Sequence, residues 1–238
     1  DMNPKSLTPK ELLTLVNKMK EYDGFQPPDA QCLSSVGPEL LRAGIMREFR
    51  PEFVAVTQRG AAAYGGHPFI VEAAIAYGGE IPVTPPDELT VFRYANKIPL
   101  LYDLHSDVTM KVIKKINWKR YKLDPATMPL AFFVHICATK VPYKTVGKEY
   151  IADRPEVEYE IEWALKTCAR QLRMHLAKKE KAAFVQRRLS VFEKYLPMIS
   201  QFAAELAGSP NPPNHEKVLK RLQTHAKEIE QRSVVQVN

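Results

Sequence analysis

Two lysines flank a lone glycine in the stretch VPYKTVGKEYI, residues 141–151: Lys144, Gly147 and Lys148. Holding a phosphate takes a cation together with backbone N–H groups that converge near a helix start. The order here is an apolar run, Lys144, Gly147, Lys148, and then a helix that begins near Pro155. Gly147 lets the backbone bend tightly. The stretch is not a Walker loop, which would need Gly at 142 and Ser or Thr at 149; those positions hold Pro142 and Glu149. From spacing alone it reads equally as a solvated loop carrying two exposed lysines.

A second cluster is INWKRYKL, residues 116–123. Trp118 and Tyr121 interleave with Lys119, Arg120 and Lys122, and Lys111, Lys114 and Lys115 lie just upstream. Cations neutralise phosphates, while aromatic rings pack on sugar or base edges or donate from a polar tip. The alternative is that both rings anchor a helix end to the core while the cations are merely solvated. A third cluster runs along 175–199. Lys178, Lys179, Lys181, Arg187 and Arg188 suit a solvated face, and Phe184, Val185, Leu189, Phe192, Leu196 and Ile199 form an apolar series beyond them. That series awaits either a separate partner or the chain's own terminal helix.

Other chemistry is scarce. The six histidines have no metal-ligand spacing, and neither GxSxG nor HExxH occurs. Glu72, within an apolar run, is expected to pair across a sheet with Arg93 or Lys97. Cys32, Cys137 and Cys168 are odd in number and widely spaced, which argues against a disulfide framework or a zinc site. Cys137 and Cys168 read as small buried hydrophobes in a reducing compartment.

Elements must position these residues. The 238 residues are 45% hydrophobic, enough for a sizeable core, and the net charge of +7 favours anionic partners without choosing among them. No apolar run approaches the ~18 residues of a membrane span, and no signal-peptide pattern opens the chain. The expectation is a soluble intracellular protein, without a membrane partner. Because it begins at Asp1, we expect a piece of something longer. Thr8 and Pro9 open one helix and Pro38 a second, so residues 1–50 read as helical. Strands are expected over PEFVAVTQR, GGHPFIVEAAIAYGG, ELTVFRYANKIPLLYD and MPLAFFVHICATKVPY. A short helix capped by Ser106 falls between the last two. Val157, Ile161, Ala164, Cys168, Leu172 and Leu176 then trace one stripe of a helix of about 40 residues, ~60 Å at 1.5 Å per residue, which Pro197 should break or bend. GSPNPPN is a linker to a final charged helix. The fold class is α+β, with a mixed sheet of about four strands covered by helices.

The runs GHPFIVEAAIAYGG, FRYANKIPLLYD, INWKRYKL and ATKVPYKTVGKEYI, in that order, resemble the B subunit of DNA topoisomerase VI, the type IIB topoisomerases. The resemblance covers about residues 7–200. It implies that 1–50 is the end of a helix–two-turns–helix domain and that 51–207 is a GHKL-type transducer domain; the linker and C-terminal helix of 208–238 lie outside the resemblance and are read from the sequence alone. None of the GHKL ATP-binding motifs is found in this sequence. By the resemblance, Lys148, with Lys144 as the fallback and Gly147 beside it, is the switch lysine that reaches the γ-phosphate of ATP held by the GHKL domain. Trp118, Lys119 and Tyr121 match the family's DNA-contacting WKxY element, with Arg120 and Lys122 alongside. The far end of the long helix, with Phe184, Leu189, Phe192, Leu196 and Ile199, is expected to meet the A subunit of topoisomerase VI. Further implied partners are double-stranded DNA and a second B subunit through the GHKL domain. ATP and magnesium serve the heterotetramer; the chain alone should hold no cofactor and neither hydrolyse ATP nor cut DNA. The setting implied is cytoplasmic, at the nucleoid. Two rivals stand beside this reading: a stand-alone basic DNA-binding or scaffolding module, and the transducer of another GHKL ATPase of the MutL type.

Overall fold

The computed structural model describes residues 6–22, 24, 29–85, 88–102, 104–144, 147 and 150–234. Three of its helices begin with proline, whose missing N–H is one that a first helical turn leaves unpaired in any case. Helix α1 (Pro9–Glu21) is opened by a reciprocal box in which Thr8 N–H donates to Glu11 and Glu11 N–H to Thr8. Its apolar residues Leu12, Leu13, Val16 and Met19 are all exposed. Helix α2 (Pro38–Phe49) ends at Arg50 in the left-handed region. There Gly79 passes so close that a Cβ would lie 2.0 Å from Arg50 O, so only glycine fits.

The strands are β1 (Phe53–Gln58), β2 (Ala62–Tyr64), β3 (His67–Tyr77), β4 (Thr90–Ala95), β5 (Ile98–Pro99) and β6 (Leu130–Ala138). They form one mixed sheet in the order β1-β3-β6-β4-β5, with β2 pairing β3; β4 and β6 are parallel and all other pairs antiparallel. The α+β class and the mixed sheet are as expected, but among the described residues the strands number six rather than about four. The stretch 90–102 is a hairpin, not one strand: Asn96 and Lys97 both take positive φ, 47° and 68°, the turn that matches strand twist. Strand β2 is short and joined to β3 through Gly65 and Gly66.

Alternation along the strands gives the sheet two apolar faces. Phe69, Val71, Ala73 and Ile75 of β3, with Phe132, Val134 and Ile136 of β6, pack under helix α3 (Val108–Lys115) and helix α4 (Pro155–Leu206). Ala74, Ala76, Ala131 and Phe133 face the other way, against Ile45 and Phe49 of α2. So α2, although within the first 50 residues, packs on the sheet. Glu72 pairs with neither Arg93 nor Lys97 but with His135, and Arg93 pairs with Asp107.

The long helix runs unbroken for 52 residues, ~78 Å, through Pro197. Pro197 lies on the exposed side, where the carbonyl it deprives of a partner meets water. The fully buried stripe on the sheet ends at Leu172; His175 still stacks on Phe53, Leu176 packs against the core and Lys179 reaches Glu52, and farther on α4 is joined by helix α5 (Glu216–Val234). Contacts of Pro213 with Ser200 and of Gln223 with Glu193 show that α5 runs antiparallel to it. Burial pushes the Cys168 thiol up to about 12 and raises that of Cys137 as well, so both behave as core residues. Among the described residues no helix is long and apolar enough to cross a membrane.

Candidate functional site

Strand β6 delivers the chain into the stretch 141–151. Its base is closed by an antiparallel bridge between Tyr143 and Ile151, by Ala152 N–H donating to Pro142 O at 2.7 Å, and by Lys144 N–H donating to Tyr150 O at 3.3 Å. Lys144 and Gly147 are exposed, and Lys144 Nζ stands 5.9 Å from the centre of the Tyr150 ring. Lys148 lies outside the described residues. Below the loop, Ile151 is buried; its N–H donates to Asp107 Oδ2 at 2.9 Å and its carbonyl accepts from Val108 N–H at 3.4 Å.

Asp107, not Ser106, caps α3, with Oδ1 accepting from Thr109 N–H at 2.8 Å. The same carboxylate lies 3.1 Å from Arg93 Nη1, and the two side chains are 0% and 3% exposed. A buried guanidinium beside a buried carboxylate needs further partners. Arg93 Nη2 has them, donating to Leu100 O and Tyr102 O.

At the other end of α3 the chain tightens into a 3₁₀ turn, Trp118–Tyr121. Three residues per turn bring positions 118 and 121 onto one side and leave 119 and 120 on the other. Both rings are accordingly in the core, Trp118 9% and Tyr121 8% exposed. Trp118 Nε1–H donates to Ile113 O at 2.8 Å, and its ring meets Phe132 with centres 5.1 Å apart. Lys122 closes the turn in the left-handed region, with N–H to Lys119 O. Lys119, Arg120 and Lys122 point to solvent. Arg173 of α4 donates to Arg120 O at 3.3 Å, which brings exposed Arg170 and Arg173 to the same side of the molecule. The upstream lysines divide. Lys111 is paired with Asp153, and Lys115 with Glu158 at 2.7 Å and Glu162 at 3.7 Å; these hydrogen-bonded carboxylates hold both ammonium groups above the ordinary lysine range. Lys114 remains exposed.

On the distal half of α4 the sequence-predicted apolar series splits. Leu189 and Ala204 are buried, as is Ala226 of α5, while Leu196 is half-buried. Phe184, Phe192 and Ile199 are exposed, and so are Val191, Tyr195, Met198 and Phe202, which the sequence reading did not single out. The signal for them was present: 184, 191, 195, 198 and 202 repeat at helical spacing on a second face. No group of three or more acidic, His or Cys side chains among the described residues could hold a metal ion. Of the loop itself, the described part is the closed base with Lys144 and Gly147 exposed above it.

The model of the topoisomerase VI B subunit transducer matches residues 28–188. This chain belongs to that family. Among curated proteins, the type 2 DNA topoisomerase 6 B subunit of Metallosphaera sedula is 44% identical over 201 residues, 84% of this chain and 38% of that protein. Its namesake in Sulfurisphaera tokodaii is 46% identical over 202 residues, again 84% of this chain and 38% of the relative. The chain therefore spans well under half the length of the B subunits it matches. Among solved structures, the B subunit of DNA gyrase from Myxococcus xanthus overlays on 51% of this chain and 34% of its own at 15% identity, with a TM-score of only 0.35. The transducer match covers the sheet, the 141–151 loop, the 118–121 turn and the proximal part of α4. It sets aside the MutL-type reading.

Proposed function

We propose that this chain is the moving middle of the B subunit of an ATP-dependent type IIB topoisomerase. In this reading it links a nucleotide-binding domain, held elsewhere in the same polypeptide, to a DNA-cleaving A subunit. Residues 1–50 end a helix–two-turns–helix domain, 51–207 form the transducer and 208–238 a linker and helix. ATP and magnesium are bound by the neighbouring domain. This chain contributes the ammonium of Lys148, with Gly147 allowing its approach and Lys144 second in line. A cation distinguishes ATP from ADP through one additional phosphate, and an electrostatic contact of that kind can tie nucleotide state to domain rotation. A second B subunit pairs through the same nucleotide-binding domain, and the assembly works inside the cell, at the nucleoid.

Lys119, Arg120 and Lys122, joined by Arg170 and Arg173, contact the phosphates of double-stranded DNA. The observation that carries this is the division within one turn: both rings of the Trp118–Tyr121 motif lie inside and all of its cations outside. Trp118 and Tyr121 then serve DNA by fixing where the cations stand, and the contact is to backbone rather than bases. The exposed face of α4 with Phe184, Phe192 and Ile199 meets the A subunit; Leu189 and Leu196 support that face from the α5 side.

The test is duplex affinity as a function of salt, for this chain and for Lys119→Ala. The slope of log K against log salt should fall by about 0.9 in the variant, one phosphate's worth of released counterion. An unchanged slope would remove Lys119 from the interface.

A further inference from the structure

Near its start, helix α4 turns two large rings to solvent. Tyr159 is 55% exposed and Trp163 38%, although rings on the outer side of a helix add nothing to the core. The chain's other tryptophan, Trp118, is packed in the ordinary way, inside and with its indole N–H bonded. Positions 159, 163, 166, 170 and 173 recur at steps of four and three, which sets Tyr159, Trp163, Lys166, Arg170 and Arg173 on one stripe. The opposite stripe, Val157, Ile161, Ala164, Cys168 and Leu172, is the one buried on the sheet. The two rings meet with centres 6.0 Å apart at 58°, and Lys166 Nζ stands 5.6 Å from the centre of the Trp163 ring.

The charge around these rings has a direction. Carboxylates at this end of α4 are engaged, Glu158 by Lys115, Glu160 by Arg59, and Glu162 by Lys115 and Lys166. Past Trp163 the stripe carries Lys166, Arg170 and Arg173, spaced ~6 Å and ~4.5 Å along the axis. Arg170 donates to Thr167 Oγ1 at 2.8 Å and Arg173 to Arg120 O at 3.3 Å. Through Arg173 the stripe therefore runs into the 118–122 turn, and Trp163 stands ~15 Å from Arg173 along the helix.

A row of cations that ends in exposed rings complements a polyanion that also presents flat apolar faces. Intact duplex supplies the charge but keeps its bases stacked inside, and exposing one costs unstacking energy. An unpaired base supplies both. We propose that Trp163, with Tyr159 against it, is a stacking platform for an unpaired base of a DNA strand whose phosphates lie along Lys166, Arg170 and Arg173. The chain thus takes single-stranded DNA by stacking as well as duplex by charge. This rests on the phosphate-contact reading of Arg170 and Arg173; base stacking is the added claim and is tested apart from it.

Trp163 is its own reporter, because Trp118 is buried and Trp163 is exposed. A short oligothymidylate added to this chain should quench the exposed part of the tryptophan emission. An oligomer of abasic sites with the same number of phosphates should leave that emission unaltered. In Trp163→Ala the quenching should disappear and oligothymidylate affinity should fall by about fivefold or more, the low end of what one stacked base contributes. Duplex affinity should stay within about twofold in the same variant, and Trp163→Phe, which keeps a ring, should retain most of the oligothymidylate affinity. Equal quenching by the abasic oligomer, or undiminished oligothymidylate affinity in Trp163→Ala, would overturn the proposal and leave the rings to a protein contact. Duplex binding without any oligothymidylate binding would overturn it while the phosphate reading stands. If neither ligand binds, both fall.

Discussion

Glu72 Oε2 lies 2.6 Å from His135 Nδ1 in the middle of the sheet, both side chains at most 1% exposed. The pair joins more than two strands. Glu72 also accepts from Val36 N–H at 2.9 Å and Gly37 N–H at 2.6 Å, at the start of α2, and His135 Nε2 accepts from Lys97 N–H at 3.0 Å in the β4–β5 turn. Because the Lys97 amide can only donate, the ring proton sits on Nδ1 and is given to Glu72; the imidazole is neutral. One carboxylate and one ring thus fix the entry to α2 and the edge hairpin to the two central strands.

Replacing Glu72 with Gln should loosen that junction. A carboxamide offers one acceptor to donors that now have two, so at least one buried N–H is orphaned, at about 1–3 kcal/mol each. Thermal unfolding should fall by several degrees, about 2–4 °C per kcal/mol for a chain of this size. The pH dependence has a definite sign. Burial raises the Glu72 carboxyl, but His135 and the Val36 and Gly37 amides outweigh it and the net shift is downward. A depressed carboxylate contributes stability that is complete above the ordinary value of 4.5 and is lost as pH falls through the folded value. Melting curves of wild type and Glu72→Gln should therefore converge in acid; a difference that stays constant down to full protonation would contradict this.

The 118–122 turn predicts a separation of effects. Trp118→Ala removes a buried ring and its hydrogen bond to Ile113 and should cost about 3–5 kcal/mol of stability. Lys119→Ala should leave stability within about 0.5 kcal/mol, as exposed substitutions do, while altering the salt dependence of duplex binding. Unfolding in urea measures the first and fluorescence anisotropy the second. Equal losses of stability in the two variants would show the turn to be structural throughout.

Much of this fold was legible in the sequence because period and punctuation agree. The stripe from Val157 to Leu172 and the apolar run that became β6 needed no tertiary information. What escaped was decided by partners distant in sequence. Ser106 and Asp107 are both good caps, and only the loop returning with Ile151 and the guanidinium of Arg93 select Asp107. Glu72 offered Arg93 or Lys97 as partners by proximity, yet the register of β3 on β6 sets it opposite His135. The WKRY run left core and interface open because a 3₁₀ turn serves both, rings on one side and cations on the other. Pro197 argued for a break, and the helix passes through it on its solvent side.

The distal half of α4 should respond oppositely on its two faces. Leu189→Asp puts a charge into the seam with α5 and should abolish amide protection across 216–226 while the sheet stays folded. Phe192→Asp changes an exposed ring and should leave α5 protected, but weaken association with the A subunit of topoisomerase VI by tenfold or more, roughly what loss of one hot-spot aromatic costs. Hydrogen exchange reads the first and surface plasmon resonance the second. Unaltered binding by Phe192→Asp would move the contact off this face.

The lysines of the 141–151 loop make the sharpest contrast. Lys144 is tethered near the loop base, its N–H bonded to Tyr150 O and its ammonium over the Tyr150 ring. Lys148 follows four residues on, past Gly147, and lies outside the described residues. In a B subunit that carries this chain behind its ATP-binding domain, Lys148→Ala should lower ATP turnover by about 10²–10³, the scale for deleting one group that stabilises developing charge. Lys144→Ala should cost less than about threefold, within the range expected of an exposed cation–π contact. On the proposed reading, in which a neighbouring domain holds the nucleotide, nucleotide affinity should change little in either variant. The measurement is steady-state ATPase activity together with equilibrium binding of a non-hydrolysable analogue. If Lys144→Ala produces the large loss and Lys148→Ala the small one, the sensing role passes to Lys144. If neither does, the loop has no part in nucleotide sensing.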